Sequence, residues 1–143
     1  MTNSPLMLSV SGARGIVGET MTPKVAYAFA SAFVSLLHEK LGRTPSLCVA
    51  RDSRPSGPEL QAATAEAFVD CGCSVTDLGV VATPTAGVMI NALRADGGII
   101  VTASHNPTPW NGIKCLDGDG LAPSVDEAQE IIKRFKAGIT LDK

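Results

Sequence analysis

The sequence predicts an α/β domain with three α/β/α layers and a mostly parallel, mixed central sheet of about four strands. Three observations carry this. Runs of helical period alternate with short, wholly apolar segments. Those apolar segments are bounded by glycine, proline and small polar residues. Proline follows a threonine or opens the run at the start of most helical stretches, where its missing N–H costs nothing.

Taken in order, Thr22-Pro23 opens the first helix, and Val25, Phe29, Phe33, Leu37 and Leu41 then recur at three to four residues until Gly42 stops the run. Leu47 to Ala50 is short and apolar and reads as a buried strand. The segment 51–59, RDSRPSGPE, is a loop, and a second helix runs from about Pro58 to Cys71. Ser74 to Leu78 is the next strand, and Pro84 to about Leu93 the third helix. Asp96-Gly97-Gly98 reads as a turn into the strand Ile99–Thr102, and a loop from Ala103 to Asn111 leads to a short strand, Ile113–Leu116. Ser124-x-x-Glu127 is a capping box for a last helix to about Lys136, with Val125, Ala128, Ile131, Ile132 and Phe135 as its apolar stripe. One domain over 1–137 is expected, with 138–143 as the start of a linker.

The chain has 143 residues, 45% of them apolar, and mean hydropathy is +0.19, a composition that supports a packed core. Twelve Lys and Arg against 14 Asp and Glu leave a formal charge of −2, without the basic excess that coats nucleic acid or anionic membranes. No apolar run reaches the roughly 18 residues of a membrane span. Met1–Ser11 lacks the basic stretch and apolar core of a signal peptide, so a cytoplasmic location is expected. Four cysteines, without a C-x-x-C pair or a histidine at zinc spacing, read as free thiols.

Function is expected in the loops at strand ends, where α/β sheets bind ligands. The stretch 11–19, SGARGIVGE, sets Arg14 among three glycines, either as an anion-cradling loop or as an ordinary turn. Arg51 and Arg54 follow a buried strand with Asp52 between them; they could grip phosphate, pin another domain or form a surface ion-pair loop. Thr102-Ala103-Ser104-His105-Asn106-Pro107, then Asn111-Gly112-Ile113-Lys114, is the most informative stretch, because a buried strand breaks abruptly into hydroxyl, imidazole and ammonium groups. As bare chemistry these groups suit phosphoryl transfer better than acyl transfer, with a plain polar loop as the alternative. A serine hydrolase would need an elbow of the form G-x-S-x-G and a base approaching Ser104 from elsewhere in the fold, and His105 is adjacent in sequence.

The set SGARGIVGE, VARDSRPSG, VVATPTAG and TASHNP followed by NGIK, in that order over roughly 9–121, resembles the first domain of the α-D-phosphohexomutase superfamily, which includes phosphoglucomutases, phosphomannomutases and phosphoglucosamine mutases. Ala50 stands where that pattern usually has glycine. The resemblance implies that Ser104 is the phosphoryl carrier, exchanging its group with a hexose 1- or 6-phosphate through a bisphosphate intermediate. It implies that phosphoserine 104 offers an oxygen to Mg²⁺, that His105 contacts the transferring group, and that Arg14 and Lys114 shuttle protons or neutralise phosphate. Arg51, Arg54, Asn106 and Asn111 would bind phosphate or order the loops. The Mg²⁺ loop, sugar recognition and distal phosphate site belong to the superfamily's other three domains, so this domain alone is expected to be inactive. Asp117-Gly118-Asp119-Gly120 lacks the third aspartate of the metal loop and reads as a turn. By resemblance, Trp110 before NGIK leans toward the phosphomannomutase and phosphoglucosamine mutase branch. The alternative is a non-catalytic phosphosugar- or anion-binding module on the same scaffold.

Overall fold

A computed structural model describes residues 6–10, 12–104 and 106–138. Ten elements follow one another: β1 (Met7–Ser9), β2 (Gly12–Ile16), α1 (Pro23–Leu41), β3 (Ser46–Arg51), α2 (Gly57–Asp70), β4 (Ser74–Val80), α3 (Thr83–Ala92), β5 (Gly97–Val101), β6 (Trp110–Asp117) and α4 (Val125–Ala137). The strands form one sheet in the order β1-β2-β6-β5-β3-β4. The α/β/α layering is as expected, but the sheet has six strands rather than four. It is also mostly antiparallel rather than mostly parallel: β5-β3 and β3-β4 run parallel, whereas β1-β2, β2-β6 and β6-β5 are antiparallel, because the glycine-rich β2 and the returning β6 add three antiparallel pairings at one edge.

The two unexpected strands fall where the sequence shows only glycines and small residues. Met7–Ser9 pairs with Gly12–Ile16, which in turn pairs with β6 through Gly12↔Lys114, Arg14↔Gly112 and Ile16↔Trp110. The glycines permit this pairing because neighbouring chain lies close to them. A Cβ on Gly15 would stand 2.5 Å from the Thr20 hydroxyl, since residues 17–21 fold back over the strand. An anion-cradling loop at 12–16 is therefore ruled out, as those backbone groups serve the sheet. Gly97 and Gly98 likewise belong to β5 rather than to a turn. Side chains there would meet Leu116 O at 2.7 Å and Cys48 O at 2.8 Å.

The helices sit as their sequences dictate. Thr22 accepts from Val25 N at the start of α1, and Gly42, at φ 68°, takes the left-handed conformation that ends it. Ser124 and Glu127 form the reciprocal capping box of α4. One face of the sheet, through Leu47, Val49, Ile99, Val101 and Ile113, packs under α1, α2 and α4. The other face buries Cys48, Ala50, Ile100 and Leu116 against Ala86 and Ile90 of α3. That helix packs chiefly on β3 and β5 and reaches β6 at Leu116, leaving Arg14 and Lys114, further out on the same face, only partly buried. No helix among the described residues is long and apolar enough to cross a membrane. Cys48, Cys73 and Cys115 are buried thiols outside any disulfide. Of the expected linker, residues 139–143 lie outside the described residues.

Candidate functional site

The carboxyl ends of β3 and β5 deliver two loops side by side, 52–56 and 102–109, and β2 ends next to the second of them. Val17 N donates to Pro109 O at 2.8 Å, which closes this rim. Between the two loops lies an open cleft of about 460 Å³, lined by Asp52, Arg54, Ser104, Asn106 and Pro107 among others. A cleft of similar size, about 480 Å³, lies between α3 and the turn at Asp119–Leu121, but its lining is mostly apolar and Asp119 is its one titratable group. The first cleft is the one that gathers charged and hydroxyl groups and is the candidate site.

Arg54 organises that cleft. Its Nη1 donates to Pro107 O at 2.8 Å and Trp110 O at 3.1 Å, and its Nη2 to Ser104 O at 2.9 Å and Asn106 O at 2.7 Å. Its Nε donates to Asp52 Oδ2 at 3.2 Å. A guanidinium has five N–H donors, and all five are used here on the protein itself. Arg54 consequently orders the loop and has no donor left to grip a phosphate. Arg51 points elsewhere: its guanidinium donates to Gln61 Oε1 in α2, and Gln61 passes the link to Asp77 of β4 at 2.8 Å. The structure thus separates the two arginines and brings only Arg54 to Ser104.

Ser104 stands at the exposed apex of the loop with φ 54°, the left-handed region that non-glycine residues rarely occupy. Ala103, immediately before it, is fully buried, so the chain passes from core to solvent within one residue. Arg14 reaches the same loop from β2, donating from Nη1 to Asn106 Oδ1 at 3.0 Å. Asn111 is fully buried; it donates from Nδ2 to Ser56 Oγ at 2.8 Å and accepts Gly112 N at 2.9 Å, tying the start of β6 to the 52–56 loop. It orders loops and does not face the cleft. Lys114 is half-buried and in register with Ile100 and Gly12. It lies one diagonal step from Arg14, on the sheet face that α3 covers only in part. Gly112 sits between them, where a Cβ would fall 2.9 Å from both Arg14 Cγ and Thr102 O. Ser11 and His105 lie outside the described residues.

Asp52, Ser56 and Thr102 also hold the site together, and motif reading does not single them out as site residues. Asp52 accepts from Arg54 N at 3.1 Å and from Thr102 Oγ1 at 2.7 Å. The spacing Asp-x-Arg is a usable signal for the first of these contacts. No local pattern announces the second, which spans 50 residues. The 117–120 turn is as expected: Asp117 Oδ1 accepts Asp119 N and Leu121 N at 2.9 and 3.1 Å. Among the described residues no group of three His, Cys, Asp or Glu is placed to hold a metal ion.

Residues 6–141 match the family model for phosphoglucomutase/phosphomannomutase, alpha/beta/alpha domain I. A phosphoglucosamine mutase of Symbiobacterium thermophilum is 40% identical over 135 residues, covering 92% of this chain and 30% of that protein. A phosphomannomutase/phosphoglucomutase of Pseudomonas aeruginosa is 44% identical over 104 residues, 72% of this chain and 22% of its own. The crystal structure of a phosphoglucomutase/phosphomannomutase family protein from Burkholderia thailandensis superposes with a TM-score of 0.78 at 32% identity, over 94% of this chain and 32% of that one. The chain thus spans less than a third of each of these relatives. With residues 6–141 matching the family model and relatives 40% or more identical over most of its length, the chain belongs to the phosphoglucomutase/phosphomannomutase family, of which it carries the α/β/α domain I.

Proposed function

We propose that this domain supplies the phosphoryl carrier of a mutase interconverting hexose 1-phosphate and hexose 6-phosphate, and that Ser104 is the carrier. The observation that bears most weight is the geometry of Ser104: an exposed hydroxyl in left-handed backbone, at the apex of a loop whose carbonyls are taken by one arginine. The relatives' names support the phosphomannomutase and phosphoglucosamine mutase branch. In this reading the P–Oγ bond of phosphoserine 104 breaks as a sugar hydroxyl oxygen bonds to phosphorus, and the hydroxyl proton passes to a base. The bisphosphate then turns over and returns its other phosphoryl group to Ser104.

Arg14 and Lys114 suit the neutralisation of phosphoryl charge, because they lie on one sheet face and Arg14 already touches the loop. An arginine holds its proton too firmly to serve readily as a base, so proton transfer falls more naturally to Lys114 or His105. Mg²⁺ would meet this chain through the phosphate on Ser104. The described residues do not make a metal site of their own. The remaining metal ligands, sugar recognition and distal phosphate binding are assigned to further domains, and the domain alone is expected to be inactive.

Peptide mass mapping of the protein isolated from its native source tests the carrier assignment. The tryptic peptide Ala95–Lys114 should bear one phosphate, on Ser104. An unmodified Ser104, together with undiminished mutase turnover in a Ser104→Ala variant of the protein, refutes it.

A further inference from the structure

Both backbone polar groups of Ser104 lead back to one carboxylate. Thr102 Oγ1 lies 2.7 Å from Asp52 Oδ2, and an ionised carboxylate can only accept, so the hydroxyl proton is committed to Asp52. The Thr102 oxygen is then left as an acceptor, and Ser104 N donates to it at 3.0 Å. On the other side, Ser104 O accepts from Arg54 Nη2 at 2.9 Å, and Arg54 is itself held by Asp52 through Nε and through its backbone N–H. Ser104 has φ 54°, a conformation that costs free energy in a residue bearing a Cβ and persists only where its surroundings over-determine it. Thr102 is buried, 7% exposed, whereas Ser104 two residues on is exposed.

We propose that Thr102, backed by Asp52, is a positioning residue that holds Ser104 in left-handed backbone and so fixes where its hydroxyl stands in the cleft. Its meaning for catalysis rests on the carrier reading above; the strut itself does not. The arrangement also consumes the Ser104 N–H, so negative charge arriving on the serine is met by side chains such as Arg14 and Lys114 rather than by that amide.

The test compares Thr102→Val, which keeps the shape and removes the hydroxyl, with Thr102→Ser, which keeps the hydroxyl. In the ¹⁵N-labelled chain, backbone scalar couplings report φ at Ser104, and amide exchange reports its N–H. In Thr102→Val the Ser104 amide should exchange at least tenfold faster and φ should leave the positive region. Thr102→Ser should restore both, and the amides of Ile99 and Val101 in β5 should be unchanged throughout. In protein expressed in its native host, phosphate on Ser104 should fall at least tenfold in the valine variant and be retained in the serine variant. Couplings and exchange at Ser104 that match wild type in Thr102→Val, or equal phosphate occupancy, overturn the proposal. A wild-type protein with no phosphate on Ser104 would instead remove the carrier reading, and the couplings would still decide the strut.

Discussion

Replacing Arg54 with alanine removes five hydrogen bonds at once, and their cost can be worked out bond by bond. The side chain is 13% exposed and donates to four carbonyls of the 104–110 loop and to Asp52. Hydrogen bonds from a charged donor contribute about 1.5–3 kcal/mol each when buried. The bonds to Pro107 O and Ser104 O are exposed, so water can take over there, and removing the guanidinium also relieves its own desolvation. A net loss of about 2–4 kcal/mol is a reasonable order of magnitude. It should fall on the loop rather than on the whole domain, because the core beneath is formed by β5, β3 and the helices and does not depend on Arg54. At about 1.4 kcal/mol per factor of ten, loop opening should become roughly 30- to 900-fold more frequent. Native-state hydrogen exchange reads this directly at Ser104, Asn106 and Trp110, whose amides are bonded to Thr102 Oγ1, Ala103 O and Pro107 O. Arg54→Lys should rescue little, since an ammonium cannot reach four carbonyls in a fixed fork. Unchanged exchange at these amides in Arg54→Ala would refute the view that Arg54 orders the loop.

Three other outcomes follow from the same structure. Gly112→Ala would place a Cβ 2.4 Å from Ala13 O and 2.9 Å from Thr102 O, both backbone; a loss of about 1–3 kcal/mol is expected in urea denaturation, and an unchanged midpoint would show that the strands can part freely. The Arg43 guanidinium, bonded to Asp96 at 2.7 and 2.8 Å, holds the Asp96 carboxyl below its usual range against the opposing effect of burial, with Ser46 N–H adding a bond. A lowered folded pKa contributes stability that is complete above the unfolded value near pH 4 and is lost as pH falls through the folded value. Asp96→Asn should therefore cost stability at pH 7 and flatten the acid limb of the stability profile, whereas parallel profiles would refute it. Burial pushes the Cys73 thiol up to about 11 and that of Cys115 higher still, so at pH 8 iodoacetamide should leave both unlabelled until the chain unfolds; rapid native labelling of Cys115 would contradict its burial.

What was legible in the sequence tracks what is local. The helices could be read because each is set by its own period and caps: Thr22 and Gly42 for α1, Ser124 and Glu127 for α4. The buried strands β3 and β5 could be read because burial on both faces leaves an apolar run. β1 and β2 could not. Met7–Ser9 is three residues long, and Gly12–Ile16 holds two glycines where it lies against its neighbours' backbone, which removes the alternation that marks a strand. The direction of β6 was also beyond reach, since the loop 102–109 is short enough for a hairpin yet was read for its chemistry. At the site, the motif residues Arg14, Arg54, Ser104 and Asn106 do converge, but the separation of Arg51 from Arg54 arises because Arg51 still belongs to β3 and turns toward α2 whereas Arg54 lies in the loop beyond it. Asp52 and Thr102 meet only through the parallel pairing of β3 with β5.

That separation fixes how charge is shared around Ser104. A phosphoryl group on a serine carries close to two negative charges at neutral pH and has three oxygens that accept strongly. Four basic residues of this domain were candidates to answer it, and two are spent. Arg51 is turned into the α2–β4 side through Gln61 and Asp77, and Arg54 has no donor left after four carbonyls and Asp52. Arg54 nevertheless acts on the charge indirectly. By drawing four loop carbonyls toward itself, it turns their negative ends away from the apex where an anion would sit. Among the described residues the Arg14 side chain bonds only Asn106, through Nη1, which leaves donors in reserve, and Lys114 adds a cation on the same sheet face. On the proposed carrier reading, one arginine shapes the loop and another meets the phosphoryl group, so exchanging the two roles by mutation should fail even with net charge preserved.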